Sequence, residues 1–373
     1  MTNLKRYIIT GANGFLGNNI IRKLSQKEDC EIRALVMPNA SLKALEGLNC
    51  KIFYGDVTKK ETLQDIFDKN DDIETIVIHC AAVVYIKEKY NPQVYNVNVN
   101  GTKNVAEKVL EKNAKMVYVS SVHAIPEKPN NEVMEEITDF SPNNVNGIYA
   151  KTKAETAKYV LDMVQNKGLN ACIVHPSGMI GPNDYSNTHL TEMIKSISSG
   201  KLPAIVKGGY DFVDVRDVAE GVISATEKGK KGECYILSNR YYTIQELADM
   251  ICQEKDLKKL SLALPIPFAK FVAPFCEMYY NLKKKTPLFT KYSLYTLSSN
   301  SNFSNKKAQK DLGYKTRDMK ETIHDSLYGE IKGVAPNSIK YKKADTKSES
   351  TINIDRETSS NIYTERSEDE QER

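Results

Sequence analysis

The sequence predicts an α/β protein: a doubly wound parallel sheet with a smaller substrate-binding region built from insertions and the C-terminal part. Three features carry that prediction. Short, β-branched, almost unbroken apolar runs recur through the first half of the 373-residue chain, amphipathic stretches separate them, and a glycine-spaced turn follows the first run. Strands buried on both faces of a parallel sheet are apolar throughout, and their alternation with helices implies βαβ units.

The first strand is expected at 6–10 (RYIIT), followed by a helix containing NNIIRKLSQ. Strands are then expected at 31–36 (EIRALV), 51–55 (KIFYG) and 75–80 (TIVIHC), with the amphipathic KETLQDIFDK between the last two. NVNGTKNVAEKVLEK leads to a strand at 115–121 (KMVYVSS), and AKTKAETAKYVLDMVQNK to one at 170–176 (NACIVHP). After Pro182 the rhythm breaks, and 183–212 and 240–300 are irregular, with many Pro and Tyr. Between them, DFVDVRDVAEGVISATEKG and ECYILSN return the chain to the sheet.

Composition narrows the function. The chain is 40% apolar and 27% charged, with a net charge of +4 and basic residues spread along its length, so no nucleic-acid-binding stripe is expected. Seven scattered Cys with no CxxC pair, and a start with no signal-peptide pattern, fit reduced thiols in the cytoplasm. The five His do not cluster with Cys at a ligand spacing, so no metal site is expected. The apolar stretch 260–282 is broken by Pro265, Pro267 and Pro274 and carries Lys270 and Glu277. It reads as a broken, buried helix pair lining a pocket, with an interfacial membrane element as the alternative.

In YIITGANGFLGNNII, Gly11, Gly14 and Gly17 stand where a strand turns into a helix. Gly11 permits the tight turn, Gly14 lets backbone amides approach a pyrophosphate, and Gly17 lets the helix lie close on the sheet. Together they form the dinucleotide-binding turn of a Rossmann domain. Asp56, ahead of Val57, can accept from an adenine amino group or cap the next helix. At the end of the second strand an acid would bind a ribose 2′-hydroxyl and repel a 2′-phosphate. Met37 stands there, with Asn39, Ser41 and Lys43 beyond it, so among NAD(P) cofactors the reading leans to NADP(H). These boundaries give a dinucleotide-binding domain at 1–182, rejoined by 213–239, and a substrate-binding region at 183–212 and 240–332. A polar tail at 333–373 has too little apolar surface to offset ordering entropy and is expected to be disordered.

In GIYAKTKAE, Tyr149 and Lys153 are four apart, on one helix face one turn from each other. A cation beside a phenol favours the phenolate, so the pair is expected to lower the phenol pKa for proton transfer.

With TGANGFLG (10–17), GDV (55–57), HCAA (79–82), NVNGT (98–102), VSS (119–121), YAKTK (149–153) and HPSGMIGP (175–182), residues 5–330 resemble the extended short-chain dehydrogenase/reductase family, of the NAD-dependent epimerase/dehydratase type. The resemblance implies that Tyr149 is the general acid/base and Lys153 its partner, also holding the nicotinamide ribose. It implies that Ser121 hydrogen-bonds the reacting oxygen and that Asn98 supports the site's helix. It places the cofactor against Gly11, Asn13, Gly14, Phe15, Leu16, Gly17, Asp56, Val57, Ala81, Ala82, Tyr149, Lys153 and Pro176.

Within the family the chain looks most like dihydroflavonol reductase and 3β-hydroxysteroid dehydrogenase members. Sugar-nucleotide enzymes commonly carry an Arg where this chain has Tyr210, and here His175 and Ile180 replace the Arg and Tyr of their "RP…YGP" stretch. The reading is therefore an NAD(P)-dependent oxidoreductase for an alcohol or ketone of a largely apolar small molecule. The alternative is a nucleotide-sugar 4-epimerase or dehydratase, with Lys207 or Arg216 holding phosphate; a non-catalytic dinucleotide sensor is the third. Family members often dimerise through two long helices, here 91–112 and 147–166. His123 and His189 are expected on the surface or in loops, Asp214 and Asp217 as caps at a helix start, and Cys80 near the cofactor.

Overall fold

The structure, a computed structural model, describes residues 4–68, 72–85, 90–129, 131–200, 202, 204–273 and 291–329. The polar tail and the second part of the 260–282 stretch lie outside the described residues.

Seven strands form one parallel sheet: β1 (Lys5–Thr10), β2 (Cys30–Val36), β3 (Lys51–Tyr54), β4 (Glu74–His79), β5 (Lys115–Val119), β6 (Asn170–Pro176) and, later in the chain, β10 (Cys234–Leu237). Their order is β10-β6-β5-β4-β1-β2-β3. The chain reverses direction across the sheet between β1 and β4, and such a switch point leaves a crevice at the carboxyl ends of the strands.

Both faces are covered, which is why the strands are apolar at nearly every position. Ile8, Val77, Met116 and Ile173 point to one core layer. There they meet Val105 and Val109 of the helix Thr102–Glu111, and Ala154, Ala157 and Val160 of the helix Ile148–Lys167. Tyr7, Ile9, Ile76, Ile78 and Val174 point to the other layer. That layer is closed by Ile20, Ile21 and Leu24 of the helix Phe15–Leu24 and by Val218 and Val222 of the helix Val215–Lys228.

The return of the chain after residue 212 differs from expectation. β10 does extend the main sheet beside β6, but β9 (Gly209–Asp214) does not join it. It pairs in parallel with β7 (Gly178–Ile180) and antiparallel with β11 (Arg240–Thr243) in a separate three-stranded sheet. All six residues of β9 are buried, Asp211 and Asp214 included, so its sequence pattern does not distinguish one sheet from the other.

Asp214, Arg216, Asp217, Arg317 and Asp325 form a paired charge cluster next to this sheet. Asp214 caps the helix Val215–Lys228 by accepting from the Arg216 amide at 2.7 Å. The Arg216 guanidinium pairs with Asp214 (2.7 Å) and Asp325 (2.5 Å), while Arg317 Nε donates to Asp217 at 2.7 Å. Arg216 is thus committed inside the protein, with 3% exposure, and is not placed to hold a substrate phosphate. Removing one partner of such a cluster typically costs about 3–5 kcal/mol, because it leaves a buried charge uncompensated.

The described part of the 260–282 stretch is not a pocket wall. Ala269 and Ala273 are buried, with Ile266 half-buried beside them, against Val206 of β8 (Ile205–Val206) and Leu294, while Phe268 (51% exposed) and Phe271 (72%) lie on the outside. Among the described residues no helix is long and apolar enough to cross a membrane.

Candidate active site

The crevice at the switch point is built by the loops after β1 and β4. Gly11 has φ +66°, and a Cβ there would lie 2.9 Å from the Ala81 backbone, so glycine is what lets the two loops touch. A buried hydrogen-bond chain holds them. The Thr10 hydroxyl accepts from the Ala81 amide (3.2 Å) and meets His79 Nδ1 at 2.7 Å. His79 Nε2 meets the Thr102 hydroxyl at 3.0 Å, and Thr102 donates to the Asn98 carbonyl at 2.6 Å. Because the Thr102 proton is spent on Asn98, His79 Nε2 must be the donor and Nδ1 the acceptor from Thr10. Burial lowers the His79 pKa to about 3, which keeps the ring neutral and this chain intact at neutral pH.

Asn98 lies in a π-helical turn, Asn96–Gly101, a local distortion frequent at functional sites. Its Oδ1 accepts from the Val83 amide (2.7 Å), and its Nδ2 donates to the Val83 carbonyl and to the Thr152 hydroxyl, each at 3.1 Å. It thereby ties the loop after β4 to the helix Ile148–Lys167, and it does not line the cavity.

At the glycine turn, Gly14 is the N-cap of the helix Phe15–Leu24, with no side-chain cap and no acidic residue in the first turn. The first amides of that helix therefore carry the uncompensated positive end of the helix dipole, which suits a pyrophosphate. A Cβ on Gly14 would come within 3.1 Å of the Gly11 carbonyl, and one on Gly17 would overlap that same oxygen. The cradle thus fits a nicotinamide dinucleotide. Gly17→Ala is expected to lower stability by about 2–3 kcal/mol, because backbone atoms must move to make room, and to weaken dinucleotide binding with it. A thermal melt with and without NADPH checks this.

Gly11, Gly14, Phe15, Leu16, Gly17, Cys80, Ala82 and Pro176 line a cavity of about 700 Å³. Asn13, Asp56, Val57 and Ala81 are not among its lining residues. Asn13 Nδ2 donates to the Ser41 carbonyl at 3.0 Å. Asp56 Oδ1 accepts from the amide (2.9 Å) and hydroxyl (2.8 Å) of Thr58, so that oxygen serves a turn. Val57 is buried where a Cβ on Gly101 would meet its Cγ2 at 2.7 Å. Met37 follows β2 and is 50% exposed.

Deeper in the cavity are Ser121, Tyr149 and Lys153. The helix Ile148–Lys167 sets the last two one turn apart, and Lys153 Nζ donates to the Val119 carbonyl at 2.8 Å. Nζ is 6.0 Å from the Tyr149 ring centroid and 5.0 Å from that of Tyr118. Ser121 Oγ accepts from the His123 amide (3.2 Å), and His175 Nδ1 lies 3.0 Å from the Ser121 carbonyl.

The electrostatics of the pair reverse the simple expectation. Burial raises the Tyr149 pKa to about 12, only partly offset by the Ser121 hydroxyl. Burial also lowers the Lys153 pKa to about 8. The sequence argument weighed the charges of Lys153 and of an oxidised nicotinamide ring but not burial, and desolvation is the larger influence on both side chains in the protein itself. At neutral pH the site holds a protonated phenol beside a protonated lysine.

The two histidines expected on the surface or in loops both line the cavity. His123 is half-buried in the cavity, with its ring 5.6 Å from Tyr210 and 6.1 Å from both Tyr149 and Tyr292. His189 begins the helix His189–Ser198 and lines the cavity wall. The spacing of His123, two residues after Ser121, placed it beside the site; Tyr292 had no signal in the sequence.

This fold and this site define a nicotinamide-dependent enzyme. The sequence profile of the NAD dependent epimerase/dehydratase family matches residues 7–238, and the chain belongs to that family. It is 27% identical to sterol demethylase protein B of Methylococcus capsulatus, over 82% of this chain and 92% of that protein. It is 27% identical to a putative dihydroflavonol 4-reductase of Synechocystis sp., over 86% of this chain and 93% of that one. The solved structure of gox2253 superposes with a TM-score of 0.74 at 31% identity, over 88% of this chain and 97% of that chain.

Proposed function

We propose that the protein transfers a hydride between a nicotinamide cofactor and the alcohol or ketone carbon of a largely apolar small molecule, with Tyr149 as general acid/base. The observation that carries this reading is the charge content of the cavity. Lys153 is the one Lys, Arg, Asp or Glu among its described lining residues, and its ammonium is already bonded to Val119. Tyr210 stands where a nucleotide-sugar enzyme commonly has Arg, Arg216 is paired internally, and Lys207 is exposed and outside the cavity. The far wall is apolar, with Leu190, Met193, Ile197, Leu202 and Ile205. A substrate pyrophosphate buried there would lack the cations it needs.

When bound, the dinucleotide supplies or accepts the hydride. The protein's own residues handle the proton. In this reading Ser121 holds the reacting oxygen, Tyr149 exchanges the proton with it, and the Lys153–Val119 bond fixes the helix turn between Tyr149 and Lys153. Residues 183–212 and 240–332 form the substrate side in this reading, and the lack of an acid after β2 supports a preference for NADPH.

A screen of NADH and NADPH consumption against ketosteroids, dihydroflavonols and nucleotide sugars tests the assignment. Turnover confined to nucleotide sugars overturns it. The raised Tyr149 pKa adds a pH prediction. A phenol that stays protonated through neutrality is ready to act as an acid, so ketone reduction should be flat from about pH 6 to 7 and fall as Lys153 loses its proton near pH 8, whereas alcohol oxidation, which needs the phenolate, should climb with pH from 6 to 7. Rate profiles in both directions check this; an oxidation rate already level at pH 7 contradicts it.

A further inference from the structure

His175, the penultimate residue of β6, is fully buried, and its ring stacks on Phe140 at 5.4 Å. It does not line the cavity, yet its Nδ1 lies 3.0 Å from the carbonyl of Ser121, which does. A carbonyl only accepts, so Nδ1 carries the proton and Nε2 is bare. Nε2 is buried with no partner in the protein, and burial lowers the His175 pKa to about 4, so the neutral ring keeps this tautomer at neutral pH. A buried nitrogen without a partner is costly, and an apolar side chain would fill the same space without that cost. The bond to Ser121 is what the imidazole adds.

That bond falls where the sheet lets go of the chain. The Ser120 amide donates to the Val174 carbonyl at 2.8 Å, and beyond it Pro176 has no N–H with which to continue the ladder. Ser121 then opens the short turn Val122–Ala124. Its carbonyl accepts from the Ala124 amide at 3.0 Å, and its hydroxyl accepts from the His123 amide at 3.2 Å. Those two bonds lie within the turn, whereas the His175 ring ties the turn back to β6. The Ser121 hydroxyl also acts on the Tyr149 phenol, holding its pKa down against burial.

Resting on the oxidoreductase reading above, in which Ser121 holds the reacting oxygen, we propose that His175 is a positioning residue: its Nδ1–H fixes the Ser121 carbonyl and so aims the Ser121 hydroxyl at Tyr149 and the reacting oxygen. It touches no ligand and acts through Ser121 alone. A ring that served only to fill the core would behave differently under substitution. Leucine fills the space and has no donor. Asparagine leaves a gap but places its Nδ2 close to where Nδ1 stands. Packing alone therefore ranks His175→Leu above His175→Asn, and positioning ranks the two in the opposite order for turnover.

The test measures kcat, KM, NADPH binding and Tm for the wild type, His175→Asn and His175→Leu, each with Ser121 intact and in a Ser121→Ala background. His175→Gln, whose amide reaches the Nε2 position instead, is a second variant without the bond. The substrate is whichever of androstenedione, dihydroquercetin and UDP-glucose the wild type turns over. With Ser121 intact, His175→Leu and His175→Gln should lower kcat by about 10–10²-fold, the cost of a small misplacement at a reacting group, and leave NADPH affinity unchanged. His175→Asn should keep kcat within about threefold of the wild type while melting at a lower temperature than His175→Leu. In the Ser121→Ala background none of the three should lower kcat further, because the hydroxyl they aim is gone. A Leu variant as active as the wild type, an Asn variant no better than Leu, or equal losses in both backgrounds overturns the proposal. Turnover of UDP-glucose alone overturns the oxidoreductase reading, and the same cycle on UDP-glucose still decides the role of His175. If none of the three is turned over, hydrogen–deuterium exchange of the peptide 120–126 decides it. The His123 and Ala124 amides should exchange about tenfold faster in His175→Leu than in the wild type or His175→Asn, and equal exchange overturns the proposal.

Discussion

Replacing Tyr149 with phenylalanine is expected to lower turnover by about 10³-fold or more while leaving NADPH binding within a few-fold of the wild type. General acid/base groups contribute about 10²–10⁴-fold, and the upper part of that range fits a site with no second proton carrier near at hand. The Lys153 ammonium, 6.0 Å from the Tyr149 ring, is bonded to the Val119 carbonyl, and the His123 ring, 6.1 Å away, is stacked on Tyr210 with Nε2 facing that hydroxyl and is kept neutral by burial. The substitution removes one oxygen and keeps the ring that packs at 6.1 Å from His123, so the fold should not change. The cofactor cradle is built by Gly11, Gly14 and Gly17, on a different element from the helix that carries Tyr149, so it should survive the loss of the phenol oxygen. Binding is read from the cofactor's own fluorescence, which is simple here because the chain has no Trp. Residual activity above about a tenth of wild type would remove Tyr149 from the mechanism.

The main sheet was legible because parallel strands covered on both faces leave unbroken apolar runs. RYIIT became β1 and TIVIHC became β4 for that reason, and the glycine turn was legible because only glycine tolerates its close approaches. What stayed hidden depends on contacts between residues far apart in the chain. β9 looks like any buried strand, and its partners β7 and β11 lie on either side of it in sequence, so no local pattern separated the small sheet from the large one. Tyr292 is brought to Tyr149 across more than a hundred residues and only because Gly147 leaves room for its ring. The 260–282 stretch is apolar, as a pocket wall would be, yet its described part packs behind Leu294, outside the cavity. The error over the Tyr149–Lys153 pair was of another kind. The spacing was right, but spacing says nothing of burial, and burial decides both pKa values.

That burial makes Lys153→Met the most informative single substitution, because activity and stability should move in opposite directions. Lys153 is 3% exposed and its pKa is lowered from 10.5 to about 8. A lysine whose pKa is lower in the folded state than in the unfolded one binds its proton less well when folded. Below pH 8 the proton is bound in both states and the full penalty is present. Between pH 8 and 10.5 the folded protein loses the proton first, so wild-type stability rises with pH and the penalty is relieved. Two and a half units correspond to about 3 kcal/mol, and loss of the bond to the Val119 carbonyl returns about 1 kcal/mol of that. Methionine fills nearly the same volume without charge, so the variant should be more stable than the wild type by about 2 kcal/mol at pH 7, a rise of several degrees in Tm. The advantage should shrink as pH approaches 10.5. Turnover should fall by about 10²-fold or more, since the helix turn loses its tie to β5 and the proton-transfer site loses its cation. Chemical denaturation at pH 7 and pH 10 with parallel activity assays reads both effects. A variant less stable at pH 7, or one whose advantage does not depend on pH, would mean that the ammonium is better solvated than its position implies. The protein would then not be giving up stability to keep a charge beside Tyr149.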